Sequence, residues 1–206
     1  MRVTEQYRES RRAEIMGAAA RLFATNGFHA TSMADIISEA GMSAGAVYRY
    51  FRSKEDLIAS VAETALATAD QAFETLLADG AVPSPEQAMD AMVRTITDRV
   101  AHDPVLGTDV TKISVQVWAE ALRSPHLASR ADDVYRRLRG HFAEVVRRWK
   151  AAGHLPADAV PEHAGAAMLG LVQGFVLQRL LVNDTDAESY LAGVKALLSV
   201  TVSRGQ

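Results

Sequence analysis

The sequence predicts an all-α protein of about nine helices: a small N-terminal three-helix unit, a long fourth helix and a larger C-terminal helical domain. Three observations predict it. Between the Gly and Pro punctuation, apolar residues recur every three to four positions instead of alternating. Ala, Leu, Glu and Arg dominate, and β-branched clusters are few. Serine followed three residues later by an acid, at Ser32–Asp35 and Ser53–Asp56, marks two helix starts chemically.

The first helix is expected over Glu9–Thr25, with Ile15, Ala18, Ala19, Leu22 and Phe23 on one face and Asn26-Gly27 as a stop. Phe28 then turns back toward the core. Ser32 caps a short helix whose apolar side is Met33, Ile36, Ile37 and Ala40, and Gly41 ends it. Ser43 caps a third helix over Ala44–Phe51, and the Ser53 box opens a fourth that runs toward Leu77. Pro83-Ser84-Pro85 marks a loop. Beyond it the periodicity predicts helices near Glu86–His102, Asp109–Arg123 and Ala128–Ala152. After a break at Gly153–Pro161 come two strongly apolar helices, Glu162–Val182 and Ala187–Ser203, parted by Asn183–Asp186.

With 206 residues, 49% of them hydrophobic and 23% charged, the chain has ample material for a core. It has no cysteine, which excludes disulfides, thiolate zinc sites and cysteine nucleophiles and suits a reducing compartment. The polar N-terminus has no apolar run leading to a cleavage site, so a cytoplasmic location is expected. The most apolar stretch, Ala164–Leu177, is interrupted by Gln173 and falls short of the roughly 20 residues a bilayer requires. No membrane association is expected. Net charge is -3, yet residues 1–54 hold eight Lys/Arg against five Asp/Glu. Local positive charge is what a polyanion partner requires.

The segment Ser32–Lys54 has helix-turn-helix grammar: a short helix, a glycine turn, and a second short helix. Gly41 suits a left-handed turn that lets the helices cross steeply, and Ile36, Ile37, Val47 and Phe51 can bury the crossing. Ser43, Ala44, Gly45 and Ala46 are small enough to let the backbone approach base edges, where Ser43 can hydrogen-bond and Ala46 can touch thymine methyls. Tyr48, Tyr50 and Lys54 offer donors to phosphates, the capped start at Ser32 offers backbone N–H groups, and Arg49 can reach a guanine edge. Residues 1–54 are accordingly read as a DNA-binding domain and 55–206 as an effector-binding and dimerisation domain.

From Ala13 to Phe23, and through Gly27-Phe28-His29-Ala30-Thr31-Ser32 and Glu39 to Leu57, the chain resembles the tetracycline-repressor (TetR) family without a gap. The resemblance implies double-stranded DNA with a palindromic operator as partner, a homodimer closed by the last two helices, and release by a small-molecule effector. It also implies DNA contact at Ser32, Ala44, Gly45, Tyr48, Tyr50 and Lys54. Ala44 and Ala46 stand where many members carry larger polar residues, which removes base-reading donors. Gln116-Val117-Trp118-Ala119-Glu120-Ala121-Leu122-Arg123, followed by Ser124-Pro125, is similar to a sixth-helix pattern of one branch of the family.

Met89, Met92, Trp118, His141, Phe142, Gln173 and Phe175 are candidates to line an effector cavity, since such pockets are apolar with a few polar groups; the alternative for each is ordinary core. Ala167, Gly170, Leu171, Gly174, Gln178 and Leu181 form a small-residue stripe fit for close helix approach, with Leu191, Val194, Leu198 and Val202 beside it; this is the candidate dimer face. The six histidines show no i, i+4 pair and no Glu-x-x-His, and Walker, dinucleotide and nucleophile-elbow motifs are absent. No catalytic residue, metal site or cofactor is therefore expected. A helical adaptor that binds no DNA is the alternative reading, and it leaves the chemistry of Ser43–Tyr50 unexplained.

Overall fold

The computed structural model describes residues 5–182 and 184–198. Among them are nine α-helices: α1 Glu5–Asn26, α2 Met33–Glu39, α3 Ala44–Tyr50, α4 Lys54–Leu76, α5 Pro85–Thr95, α6 Val110–Ala121, α7 Pro125–Ala151, α8 Pro161–Leu181 and α9 Ala187–Leu198. No strand occurs among the described residues; a lone antiparallel bridge joins Asp103 to Thr108. Val202 and Asn183 lie outside the described residues.

The helices pack as two compact units. One holds the chain up to Thr68 together with Asp98–Tyr135; the other holds Ala69–Thr97 and the chain from Arg136 onward. These packing units do not divide the chain at residue 54, because α6 lies against α1 and so joins the N-terminal helices.

In the first unit, Ile15, Ala19 and Phe23 of α1, Ile36 of α2, Val47 of α3, Leu57, Ile58 and Val61 of α4, and Val110 and Ile113 of α6 share one buried cluster. Each fully buried Val, Leu, Ile, Phe or Met side chain contributes roughly 1.5–3 kcal/mol. Gly17, Ala18, Ala19 and Ala20 are all buried, so α1 is enclosed around most of its circumference at mid-length. Small side chains there allow neighbours to come close: a Cβ at Gly17 would lie 3.5 Å from the Val105 carbonyl.

In the second unit, Phe73 of α4, Met89 and Val93 of α5, Phe142, Val145 and Val146 of α7, and Met168, Val172 and Phe175 of α8 are buried. Asp70 is buried with them and is held by His141 at 2.7 Å and Arg137 at 2.5 Å, while the Phe73 ring stacks on His141 with centroids 4.7 Å apart.

Four details depart from the sequence reading. Helix α1 starts at Glu5, four residues early, where Arg11 ties Tyr7 to Glu14. The fifth helix leaves α geometry at Thr95 and continues as a π-helical stretch, Ile96–Val100. A reciprocal capping box at Ser84 and Gln87 starts α5, a signal the sequence carried unread. Helix α8 spans 21 residues and is, among the described residues, long and apolar enough by length and composition to cross a membrane. It packs against α5, and Met168, Leu169, Val172, Phe175 and Val176 are buried.

Candidate nucleic-acid interface

Local chemistry fixes the two short helices. The Ser32 hydroxyl accepts from the Asp35 N–H, and the Asp35 carboxylate accepts from the Ser32 N–H at 2.8 Å, closing the expected capping box. These bonds, the Ser32 hydroxyl first and its backbone N–H second, hold the Asp35 carboxyl below its ordinary range. Such caps are worth about 1 kcal/mol each. Gly27 at φ 87° and Gly41 at φ 61° supply the left-handed conformations that end α1 and turn α2 into α3. The Ser43 hydroxyl accepts from the Ala46 N–H and starts α3.

Helix α3 has two faces. Val47 is buried and Tyr50 packs on the core cluster, so both point inward. Ala44, Gly45, Tyr48 and Arg49 point outward, with Tyr48 48% exposed. Ser32 and Ser43 are exposed at the two helix starts, and Ala46 is half-buried. Among the described residues, nothing apart from the flanking residues and α3's own backbone comes within 4 Å of a Cβ placed on Gly45, so the start of α3 is bare. Lys54 is already engaged: its ammonium donates to the Phe28 carbonyl at 2.6 Å. Tyr50 and Lys54 thus serve the fold as well as any DNA contact, whereas Ala44, Gly45, Tyr48 and Arg49 are presented to solvent. Among the N-terminal cations, Arg12 donates to the Ser60 hydroxyl at 3.1 Å and lies over the Phe51 ring, and Arg21 pairs with Glu39.

Two polar groups of α6, met in the sequence only as part of a family-like pattern and given no role there, sit beside this head. The Phe28 N–H donates to Gln116 Oε1 at 2.7 Å, and Gln116 Nε2 donates to the Phe23 carbonyl at 2.9 Å. Glu120, buried, meets His29 Nε2 at 2.6 Å. Gln116 and Glu120 share a helix face beside the apolar Ile113 and Val117, but that spacing names none of Phe23, Phe28 and His29 as their partners.

The other expected site residues are spread over both units. Trp118 belongs to the first, on α6. Met89, Met92, His141, Phe142, Gln173 and Phe175 belong to the second, where Met89, Phe142 and Phe175 are fully enclosed and His141 is occupied by Asp70. On α8, Ala167, Gly170, Gln178 and Leu181 are exposed, and Leu171 is half-buried. Gly174 instead faces α9, where a Cβ would lie 3.2 Å from the Tyr190 hydroxyl. On α9, Leu191 is half-buried and Leu198 exposed, and Val194 is only 4% exposed within its own unit.

A short capped helix with a bare start, set outward on a glycine turn after a second capped helix, defines a helix-turn-helix DNA-binding regulator. The sequence matches the profile of bacterial regulatory proteins of the tetR family over residues 15–61, and that of BetI-type transcriptional repressors, C-terminal part, over residues 85–202. The chain belongs to the tetR family of transcriptional regulators. It is 26% identical over 197 residues to the HTH-type transcriptional regulator TtgR of Pseudomonas putida, covering 90% of this chain and 87% of that protein. Its fold is similar to Salmonella enterica GusR, with TM-score 0.73, 24% identity, and 95% of this chain and 96% of that one covered. It is also similar to SmeT in its complex with triclosan, with TM-score 0.70, 22% identity, and 91% and 90% covered.

Proposed function

We propose that the protein is a homodimeric repressor that leaves a palindromic operator when a small molecule binds. In this reading residues 1–54 bind DNA and residues 55–206 bind the effector and the partner chain. The observation that carries it is the outward face of α3: Ala44, Gly45, Tyr48 and Arg49 are exposed, and among the described residues nothing beyond α3 itself and its flanking residues lies within 4 Å of a Cβ placed on Gly45. Ser43, Ala44, Gly45 and Ala46 face base edges, Arg49 a guanine, and Tyr48, Tyr50, Lys54 and the Ser32 helix start the phosphates. Two copies related by a twofold axis place their α3 helices in successive major grooves.

Dimerisation falls to the exposed part of α8 and α9, where Leu181, Leu197 and Leu198 are 78%, 71% and 46% exposed beside Ala167 and Gly170. The effector enters the second unit among Met89, Met92, Phe142 and Phe175, with His141 and Gln173 as polar groups. Because three of these are fully enclosed, ligand entry displaces core side chains, and that displacement couples binding to a change of state. The triclosan complex of SmeT supports a small-molecule effector. The reading needs no catalysis, metal or cofactor, and it places the protein in the cytoplasm with its DNA.

Fluorescence anisotropy of the purified protein with DNA flanking its own gene, with random DNA as competitor, tests the reading. Binding that survives competitor and saturates at an even number of protomers is expected. Weak, competitor-sensitive binding to every fragment of that region would overturn it.

A further inference from the structure

Both backbone polar groups of Phe28 are held by side chains of different helices. Its N–H donates to Gln116 Oε1 of α6 at 2.7 Å, and its C=O accepts from the Lys54 ammonium at the start of α4 at 2.6 Å. The same Gln116 side chain donates to the Phe23 carbonyl at the end of α1, at 2.9 Å, so one amide closes the gap between α1 and the turn that follows it. Glu120, one helical turn along α6, holds His29 at 2.6 Å. Thr31 completes the turn by donating to the Gly27 carbonyl at 2.8 Å. The next residue is Ser32, the cap of α2, and Ile36 of α2 is buried in one cluster with Val47 of α3.

We propose that Gln116, supported by Glu120, is a positioning residue for DNA recognition: through Phe28 it lets α6 set where α2 and α3 stand. The proposal rests on the DNA-binding reading above. The physical reason is geometric. A short turn whose N–H and C=O are held by side chains of two separate helices strains one bond when it follows the other helix. A displacement of α6 by one residue's rise, about 1.5 Å, stretches the 2.7 Å bond to about 4.2 Å, beyond hydrogen-bonding range, where it is directed along the bond. Either the turn moves with α6 and carries the Ser32 cap, or a buried donor loses its partner, which is the costlier outcome.

The test uses the full chain with Gln116→Leu, which removes both bonds at similar volume, and the gentler Gln116→Glu, which keeps an acceptor for the Phe28 N–H. Amide hydrogen exchange is measured on free protein. Exchange over residues 27–37 is expected to rise about tenfold in Gln116→Leu and less in Gln116→Glu, while α8 is unchanged. The operator-to-random affinity ratio falls about tenfold in Gln116→Leu, and the salt slope stays that of wild type because no phosphate contact is removed. Unchanged exchange over 27–37, or an equal rise in α8, overturns the proposal. So does raised exchange with an intact affinity ratio. A wild-type protein that does not separate operator from random DNA would sink the DNA-binding reading, while the exchange comparison still decides the clamp.

Discussion

The Lys54 ammonium donates to the Phe28 carbonyl at 2.6 Å and lies 4.3 Å from the centroid of the same residue's ring. One side chain thus satisfies a carbonyl of the α1–α2 turn and places its charge on an aromatic face, and an ammonium carries three N–H groups where this bond uses one. Lys54→Ala is expected to lower unfolding free energy by about 1–2 kcal/mol. It should also weaken binding to all DNA sequences and reduce the slope of log affinity against log salt by about one. Urea denaturation and anisotropy at several salt concentrations measure the two effects separately. A stability loss with the slope intact would confine Lys54 to the fold.

Gly45 offers a cleaner probe of the reading helix, because its added Cβ meets nothing within 4 Å. Gly45→Leu replaces a poor helix former with a good one and should raise unfolding free energy by about 0.5–1 kcal/mol. The same side chain stands on the α3 face proposed to approach the bases, so operator affinity should drop at least tenfold. Full affinity in a well-folded variant would mean that α3 does not enter the groove.

The Ser32–Asp35 box gives a pH dependence with a definite sign. Hydrogen bonds from the Ser32 hydroxyl and N–H hold the Asp35 carboxyl below its ordinary range, so the folded state favours the ionised form. The contribution is therefore present above the unfolded value, about 3.9, and is lost as pH falls through the lower folded one. Asp35→Asn should be less stable than wild type at neutral pH, and the gap should close in strong acid. Thermal melts of the two proteins from neutral pH down to about 2 measure it; a gap independent of pH would show that the carboxylate charge contributes nothing.

The reading head was legible because its instructions are local. Ser32, Ser43 and Ser53 announce helix starts through spacing alone, Gly27 and Gly41 announce left-handed turns, and the structure places a cap or a turn at each. Contacts between distant residues were not legible. Gln116 reaches Phe28 across 88 positions, and His141 reaches Asp70 across 71. No periodicity encodes such pairs, since a residue's spacing within its own segment does not name a partner on another. The small-residue stripe of α8 fell between these cases: spacing located it, but spacing could not say which glycine faces which neighbour.

Helix α8 yields the last prediction, because the stripe's Gly170 and Gly174 and the neighbouring Gly165 do different things. A Cβ at Gly165 would lie 2.8 Å from the Ala143 nitrogen and the Arg139 carbonyl of α7, so Gly165→Ala forces backbones apart and should cost about 1–3 kcal/mol of stability. Gly174 faces the Tyr190 hydroxyl, which donates to the Leu171 carbonyl at 2.6 Å, and burial pushes the Tyr190 phenol up. Gly174→Leu would therefore break α8–α9 packing within a chain, and a loss of dimer there would not locate an interface. Gly170 is exposed with nothing within 4 Å of its Cβ, so Gly170→Arg leaves the protomer's packing intact. If Gly170 lies at a twofold contact, the substitution places two cations against each other in a closely packed seam. Sedimentation velocity at micromolar concentration should then show monomer for Gly170→Arg and dimer for wild type, with similar melting of the isolated protomer. A dimer of unaltered affinity would move the interface off this face of α8.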